Sequence, residues 1–131
     1  MRFALRTDVG CVRTLNEDAA YAGGNLFLVC DGMGGHNAGE VASAMTVAAM
    51  TEALCADEIT PNIRTLRRAV EQANAGVLQA AGADESRRGM GTTLSALWAD
   101  GDTALLAQVG DSRVYLLRGG ILRQCTHDHS M

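Results

Sequence analysis

The order of strand-like and helical hydrophobic patterns along the chain limits its possible folds more than any other sequence feature. Short strand-like apolar runs come first, two helical patterns follow between residues 38 and 82, and a pattern of period two occupies residues 92–125. The two helical segments follow each other with no strand between them, which does not match a repeated strand–helix–strand unit. The order therefore predicts an α+β fold with antiparallel sheets.

Local patterns predict the individual elements. Phe3 and Leu5 alternate with polar residues, which indicates a half-buried strand ending at Gly10. Thr60 and Pro61 form a helix start, because threonine caps helices and proline suits their first turn. The four later strands are separated by short polar turns and predict a β-meander. The predicted elements are strands at 2–8, 25–30, 92–99, 103–109, 114–118 and 121–125, and helices at 38–54 and from 60 to about 82.

Composition and charge argue against several classes of function. The 131 residues are 47% hydrophobic and 20% charged, which is typical of one soluble globular domain. A net charge of −4 argues against duplex nucleic acid and anionic membranes as partners. All eleven basic residues are arginine, which excludes a Walker-type phosphate loop, a kinase lysine and Schiff-base chemistry. Phosphate recognition must therefore use arginine. No apolar run approaches the ~20 residues that span a bilayer, so a cytoplasmic protein is expected.

The cysteines indicate neither a disulfide framework nor a zinc ribbon. They are widely spaced and include no Cys-x-x-Cys pair. This spacing predicts reduced thiols packed as small hydrophobic side chains. The four positions are Cys11, Cys30, Cys55 and Cys125.

Carboxylates near predicted strand ends are the candidates for chemistry. Asp31 follows the apolar run 25–30, and Asp111 lies in the turn "VGDSR". Glu17 and Asp18 are adjacent, and on an extended segment they would point to opposite faces and serve different neighbours. No histidine or cysteine cluster accompanies these oxygens, so they favour Mg²⁺ or Mn²⁺ over zinc or copper.

Each candidate also has a purely structural interpretation. Asp31 and Asp111 stand beside glycine, as turn residues do. The two adjacent carboxylates alone would be a solvated edge, and Arg13 alone would be a surface arginine. His36, in the glycine-rich loop after Asp31, is either an exposed loop residue or a functional group.

Five motifs in order change this balance, because together they resemble a known family. The chain is similar from residue 6 to residue 130 to the bacterial metal-dependent protein phosphatases of type 2C. That resemblance implies a β-sandwich of antiparallel sheets flanked by paired helices. It also implies hydrolysis of phosphoserine and phosphothreonine in proteins. The motifs are "DVGCVRTLNEDA", "VCDGMGGHNAGEVAS", "GMGTTL", "VGDSRVYLLRGG" and "THDHS".

The resemblance implies two Mn²⁺ or Mg²⁺ ions, with a third, weaker ion in many members. Asp31 matches the carboxylate that bridges the two ions, and Gly32 matches a residue whose carbonyl binds one of them. Glu17 and Asp18 match carboxylates near the ions, Asp18 the closer. Asp111 matches a ligand of the additional ion. The glycines after Asp31 are expected to let backbone and water approach the metal.

The resemblance also implies roles for two further residues. Arg13 matches the arginine that holds the phosphate, and His36 matches a residue that relays a proton to the leaving alkoxide. The implied partners are phosphorylated proteins, the substrates of an opposing serine/threonine kinase.

The family's two further metal aspartates have no counterpart after Asp128. We therefore expect residues 1–131 to be one partial phosphatase catalytic domain, incomplete at its C-terminus, marginally stable and poorly active alone. Two other hypotheses stay open: a non-catalytic phosphatase-like module that binds or regulates a phosphorylated partner, and a purely structural α+β domain.

Overall fold

Five strands form one antiparallel sheet, and two helices pack on one of its faces. The computed structural model describes residues 1–129. The strand order is β1 (Asp18–Gly23), β2 (Leu26–Met33), β4 (Leu94–Asp100) and β5 (Thr103–Val109), and the short β3 (Gly91–Thr92) pairs with the end of β2. The helices α1 (Ala38–Leu54) and α2 (Ile63–Ala83) follow each other, with a 3₁₀ turn (Glu85–Arg87) after them. This arrangement is the predicted α+β class.

The alternation of side chains along β2 decides which face carries the chemistry. Leu26, Leu28 and Cys30 are buried beneath the helices, whereas Val29 and Asp31 are exposed. Successive side chains of a strand point to opposite faces. Asp31 therefore lies on the sheet face that the helices leave open, and inside β2 rather than after it as the sequence suggested.

Helix α1 begins and ends at the predicted residues, but polar groups occupy part of its buried face. The Ser43 hydroxyl donates to the Glu17 carbonyl at 2.6 Å, and the Thr46 hydroxyl donates to the Ala42 carbonyl at 2.9 Å. Buried hydroxyls can be accommodated when they are hydrogen-bonded in this way. The buried residues of α1 are Ala38, Gly39, Ala42, Ser43, Thr46, Met50 and Leu54.

Helix α2 starts later than predicted. Its N-cap is Asn62, whose side chain accepts a hydrogen bond from the Thr65 N–H at 2.8 Å. The proposed cap Thr60 was wrong because an asparagine closer to the helix supplies the capping oxygen. Neither α1 nor α2, the α-helices of the part that the structure describes, has the length and apolar composition of a membrane-spanning segment.

The predicted four-stranded meander is instead two separate hairpins. β4 pairs with β5, while β6 (Tyr115–Arg118) pairs only with β7 (Ile121–Gln124) in a second sheet. The chain leaves the sheet after β5, and there the Gln108 side chain donates to the carbonyls of Gly110 and Ser112. Those contacts use backbone groups that a continuous ladder would have paired.

The predicted strand at residues 2–8 is also absent from the described structure. This segment pairs with no other strand, and the Phe3 ring instead packs edge-on against Phe27 with 5.5 Å between centroids. The Asn16 side chain donates to the Thr7 hydroxyl at 2.7 Å. Phe3 therefore contacts the sheet, but Phe3 and Leu5 both stay exposed, so the alternation marks neither a paired strand nor a buried face.

The cysteines differ in exposure, which corrects the expectation that all four are packed as small hydrophobic side chains and predicts how fast each thiol reacts. Only Cys30 is packed as a small hydrophobe, at 2% exposure; the other three are exposed. Burial raises the pKa of the Cys30 thiol to about 12, against a smaller opposing hydrogen bond with Thr92. Its thiolate fraction at pH 8 is therefore on the order of 10⁻⁴, and the thiolate is the reactive form. We expect three thiols to react quickly with Ellman's reagent and the fourth only on unfolding.

The matched control is Cys30→Ala, which should remove the slow phase and leave the three fast thiols unchanged. Four thiols reacting at one rate in the folded protein would contradict the burial of Cys30.

Candidate metal and phosphate site

Two carboxylates face each other at one end of the β1–β2 pair. The antiparallel register places Asp18 directly opposite Asp31. Directly opposed residues lie on the same face with Cβ atoms about 4.5–5.5 Å apart, and like charges there repel. The sequence did not predict β1, so this pairing emerges only from the structure. The pair creates a concentration of negative charge that a cation or a proton would neutralise.

Electrostatic effects on Asp31 show that the charged groups of the site act on one another. The pKa of Asp31 is raised, first by partial burial of its carboxyl group and next by the charge of Asp18 and a hydrogen-bonding contact with it. Asp111, in the turn after β5, raises this pKa further, and Arg13 lowers it. Three of the residues singled out in the sequence, Asp18, Asp111 and Arg13, are therefore close enough to influence the Asp31 carboxyl group.

Arg13 lies beside this pair and keeps most of its donors free. Its guanidinium is 3.5 Å from the Glu17 carboxylate, and the side chains are 74% and 18% exposed, respectively. Arg13, Asp18 and Asp31 line a common cleft of about 220 Å³. An exposed guanidinium with five N–H groups can bind the oxygens of a phosphate in this cleft.

Glu17 and Asp18 serve different neighbours, as expected for adjacent residues of an extended segment. The Glu17 carboxylate lies over Gly39, where an added Cβ would be 2.6 Å from its Oε1 atom. Its carbonyl accepts hydrogen bonds from the Gly32 N–H at 3.1 Å and from the Ser43 hydroxyl at 2.6 Å. Glu17 therefore joins the start of α1 to the end of β2.

Gly32 has a packing role that the sequence did not predict. A Cβ added there would be 2.0 Å from the Gly39 carbonyl oxygen and 2.7 Å from the Glu17 carbonyl oxygen. Glycine is needed because backbone, rather than a metal ion, occupies the space of a side chain. The metal-binding role of the Gly32 carbonyl stays a prediction.

His36 lies beside Arg13 rather than in the cleft of the carboxylate pair. It lines a second cleft, of about 420 Å³, together with Arg13 and Glu17. His36 and Asn37 both have left-handed backbone conformations, with φ of 53° and 64°. Two consecutive non-glycine residues in this region indicate local strain of the kind found at functional loops. The proton-relay role of His36 stays a prediction.

Sequence reasoning missed several residues of the site. Asp8 lines the cleft with the carboxylate pair, and the Asn16 side chain accepts a hydrogen bond from the Asp18 N–H at 3.0 Å. Thr93 bonds to the backbone N–H of Asp31 at 2.9 Å. The asparagine in "NED" was a usable signal, because asparagine commonly accepts from an N–H two residues on. Asp8 and Thr93 stand inside two of the quoted motifs, but their local sequence gave no reason to assign either of them a role.

The residues present fit part of a divalent-cation site. Asp18 and Asp31 supply two hard, facing oxygen ligands, the type that Mg²⁺ and Mn²⁺ prefer. Within residues 1–129, no three or more histidine, cysteine, aspartate or glutamate side chains lie close enough together to hold a metal ion. The described side chains thus make one side of such a site and leave further positions to water or additional ligands.

The raised pKa of Asp31 predicts how metal-free stability changes with pH. In the unfolded chain the pKa of Asp31 is about 3.9, and in the folded chain it is higher. The stability that protonated Asp31 contributes is therefore fully present below about pH 3.9 and is lost as the pH rises through the folded-state pKa. Asparagine at position 31 does not titrate, so Asp31→Asn does not lose stability in this way. In EDTA at pH 7 we expect it to raise the thermal midpoint by roughly 1–3 °C. The difference from wild type should shrink towards zero below pH 4.

Calorimetry at both pH values measures this difference, and the exposed hairpin-turn variant Asp102→Asn is the control. A lower midpoint for Asp31→Asn at pH 7 would show that Asp31 stabilises the metal-free fold, contrary to this account.

The fold and the site together define a class of α+β protein whose open sheet face presents oxygen ligands and an arginine at one end. Residues 12–131 match the family model for protein phosphatase 2C, and the chain belongs to this family. The family and fold class expected from the sequence are thus confirmed.

Named relatives agree with this assignment. The serine/threonine protein phosphatase PstP of Mycobacterium tuberculosis is 43% identical over 98% of this chain and 25% of its own length. The serine/threonine phosphatase stp of Listeria monocytogenes is 39% identical over the whole chain and 56% of its own length. Both are bacterial enzymes considerably longer than the segment they share with this chain.

Solved structures match the fold closely. The crystal structure of M. tuberculosis PstP superposes with a TM-score of 0.90 at 42% identity, covering 97% of this chain and 54% of that one. The PstP catalytic domain in complex with two manganese ions gives a TM-score of 0.92 at 44% identity, covering 97% of this chain and 55% of that one. The chain spans about half the length of these structures. Its assignment as one partial catalytic domain stays a prediction.

Proposed function

We propose that this chain carries metal- and phosphate-binding residues of a protein serine/threonine phosphatase that hydrolyses phosphoserine and phosphothreonine. The observation that carries the proposal is the Asp18–Asp31 pair, which faces across two strands beside the exposed guanidinium of Arg13. Facing carboxylates attract a divalent cation, and the arginine attracts an anion. The two manganese ions of the related PstP structure support the same chemistry.

Each side chain has a role in the proposal. Asp31 and Asp18 hold Mn²⁺ or Mg²⁺, helped by the Gly32 carbonyl and Glu17, and Asp111 holds a weaker third ion. Bound ions of this kind supply an acidic water that can attack phosphorus.

The remaining residues act on the substrate. Arg13 binds and orients the phosphate oxygens beside the carboxylate pair, and its planar fork suits them. His36, which lines the second cleft together with Arg13, gives a proton to the leaving alkoxide of the substrate serine or threonine.

The proposal extends to the setting of the protein. Its substrates are phosphorylated proteins made by a serine/threonine kinase, so its role lies in signalling, and nucleic acid and membranes are not among its partners. A cytoplasmic location is consistent with four free cysteines. Magnesium can replace manganese because both accept octahedral oxygen ligands.

The test is metal-dependent hydrolysis of p-nitrophenyl phosphate and of a phosphothreonine peptide by purified residues 1–131. Because residues 1–131 are expected to be poorly active alone, we expect weak turnover that requires Mn²⁺ and falls to background in Asp31→Asn and in Arg13→Ala. Arg64→Ala, at an exposed position of α2, is the matched control and should keep full activity.

A second function is favoured by one observation, the lack of a third close ligand side chain within residues 1–129. A non-catalytic module would bind the phosphopeptide through Arg13 in EDTA, without turnover on adding Mn²⁺. That result would replace the enzyme proposal. Absence of both phosphopeptide binding and metal binding would leave only the structural-domain hypothesis.

A further inference from the structure

The carboxylates of the site come from parts of the chain that are far apart in sequence. Asp31 lies in β2, and Asp111 lies in the turn after β5, 80 positions later. Thr93, between β3 and β4, lies against both segments and is only 6% exposed. A buried polar side chain in this position needs hydrogen-bond partners, and both segments provide them.

Thr93 is bonded twice to Asp31. The Thr93 N–H donates to the Asp31 carbonyl at 2.9 Å, and the Asp31 N–H donates to the Thr93 hydroxyl oxygen at 2.9 Å. The first bond is available to any residue except proline, whereas the second needs a side-chain oxygen. The backbone that carries the Asp31 carboxylate is therefore held by the hydroxyl of Thr93.

The same hydroxyl also contacts the second segment. Thr93 Oγ1 lies 2.7 Å from the Ser112 hydroxyl, next to Asp111. A hydroxyl has one donor and two acceptor positions, so it can accept from Asp31 and bond to Ser112 at the same time. The Thr93 methyl packs on Gly110, where an added Cβ would be 2.7 Å from it and the backbone has φ of +91°.

We propose that Thr93 is a positioning residue that sets the placement of Asp31 relative to Asp111. Its hydroxyl joins the two segments through one oxygen atom, whereas its methyl only packs on Gly110. That these segments bind metal rests on the proposed function, whereas their coupling through Thr93 does not.

Two substitutions separate the hydroxyl from the methyl. Thr93→Val keeps the shape and the contact with Gly110 but leaves the Asp31 N–H without its acceptor. Thr93→Ser keeps the acceptor and the bond to Ser112 but loses the methyl. The proposal assigns the positioning effect to the hydroxyl, so the serine variant should behave like the wild type.

The first test needs no metal. We expect Thr93→Val to speed hydrogen exchange of the Asp31 amide about 10-fold, while amides of α2, such as Ala73, stay protected. With threonine at position 93, Ser112→Ala should speed hydrogen exchange of the Asp31 amide several-fold. In the Thr93→Val background, Ser112→Ala should have no further effect on this exchange rate. Additive effects of the two substitutions would overturn the coupling.

The second test measures Mn²⁺ affinity by titration calorimetry. Thr93→Val, checked by circular dichroism to be folded, should bind Mn²⁺ about 10–100-fold more weakly, and Thr93→Ser should bind within about 3-fold of wild type. Equal affinity in the folded valine variant would overturn the positioning role. If wild type binds no Mn²⁺, the proposed function fails, while the exchange experiment still decides whether Thr93 couples the two segments.

Discussion

Gly32→Ala is expected to destabilise the chain by at least about 3 kcal/mol, a large fraction of the free energy of unfolding of a typical domain. The added Cβ would lie 2.0 Å from the Gly39 carbonyl oxygen and 2.5 Å from its carbon. These are backbone atoms of the first turn of α1, so no side-chain rotation can relieve the overlap. The end of β2 and the start of α1 would have to separate, and the site would be lost with them.

Urea unfolding followed by circular dichroism measures this effect, and the same loop supplies a control. Gly35 has open space around its Cβ position and an ordinary backbone conformation. Gly35→Ala should therefore change stability by less than about 1 kcal/mol. Equal urea midpoints for the two variants would show that Gly39 does not lie against Gly32.

Asp31→Asn is expected to weaken Mn²⁺ binding by at least about 100-fold, the second large effect. The substitution keeps the shape of the side chain but removes one of the two facing charges. Cation affinity at oxygen sites depends strongly on the number of charged ligands, so a single remaining carboxylate should bind weakly. The same variant should gain stability without metal, since it removes a partly buried charge and that charge's repulsion from Asp18.

Titration calorimetry with Mn²⁺, compared between wild type, Asp31→Asn and the control Asp102→Asn, gives the affinities. If Asp31→Asn stabilises the metal-free chain and also weakens Mn²⁺ binding, Asp31 serves ligand binding rather than the stability of the fold. Unchanged affinity in Asp31→Asn would place the metal elsewhere.

The sequence predicted the helices and the class of fold because their signals are local. The apolar spacing of residues 38–54 matched α1 at both ends, and the order of patterns was enough to indicate α+β. The strand β1 was missed because its residues, "DAAYAG", are small and carry little strand propensity. The apolar–polar alternation of residues 2–8 was misread because a strand also needs a pairing partner, and within the described residues this segment has none.

The candidate residues could be named from the sequence, but their geometry could not. Motif order pointed to Asp18 and Asp31, whereas their direct opposition depends on a strand register that only the folded sheet defines. The contact between Gly32 and Gly39 and the bridge made by Thr93 also join segments without a common local pattern. Such contacts depend on tertiary packing, which hydrophobic periodicity does not encode.

Paramagnetic broadening by Mn²⁺ shows whether the Asp18–Asp31 end of the β1–β2 pair binds a divalent cation. In NMR spectra of the labelled chain, substoichiometric Mn²⁺ should first remove the amide signals of residues 17–18 and 31–32. Asp31→Asn should restore them. Broadening that begins at acidic residues elsewhere, such as Glu52 or Glu71 on the helices, or that persists in Asp31→Asn, would contradict the account.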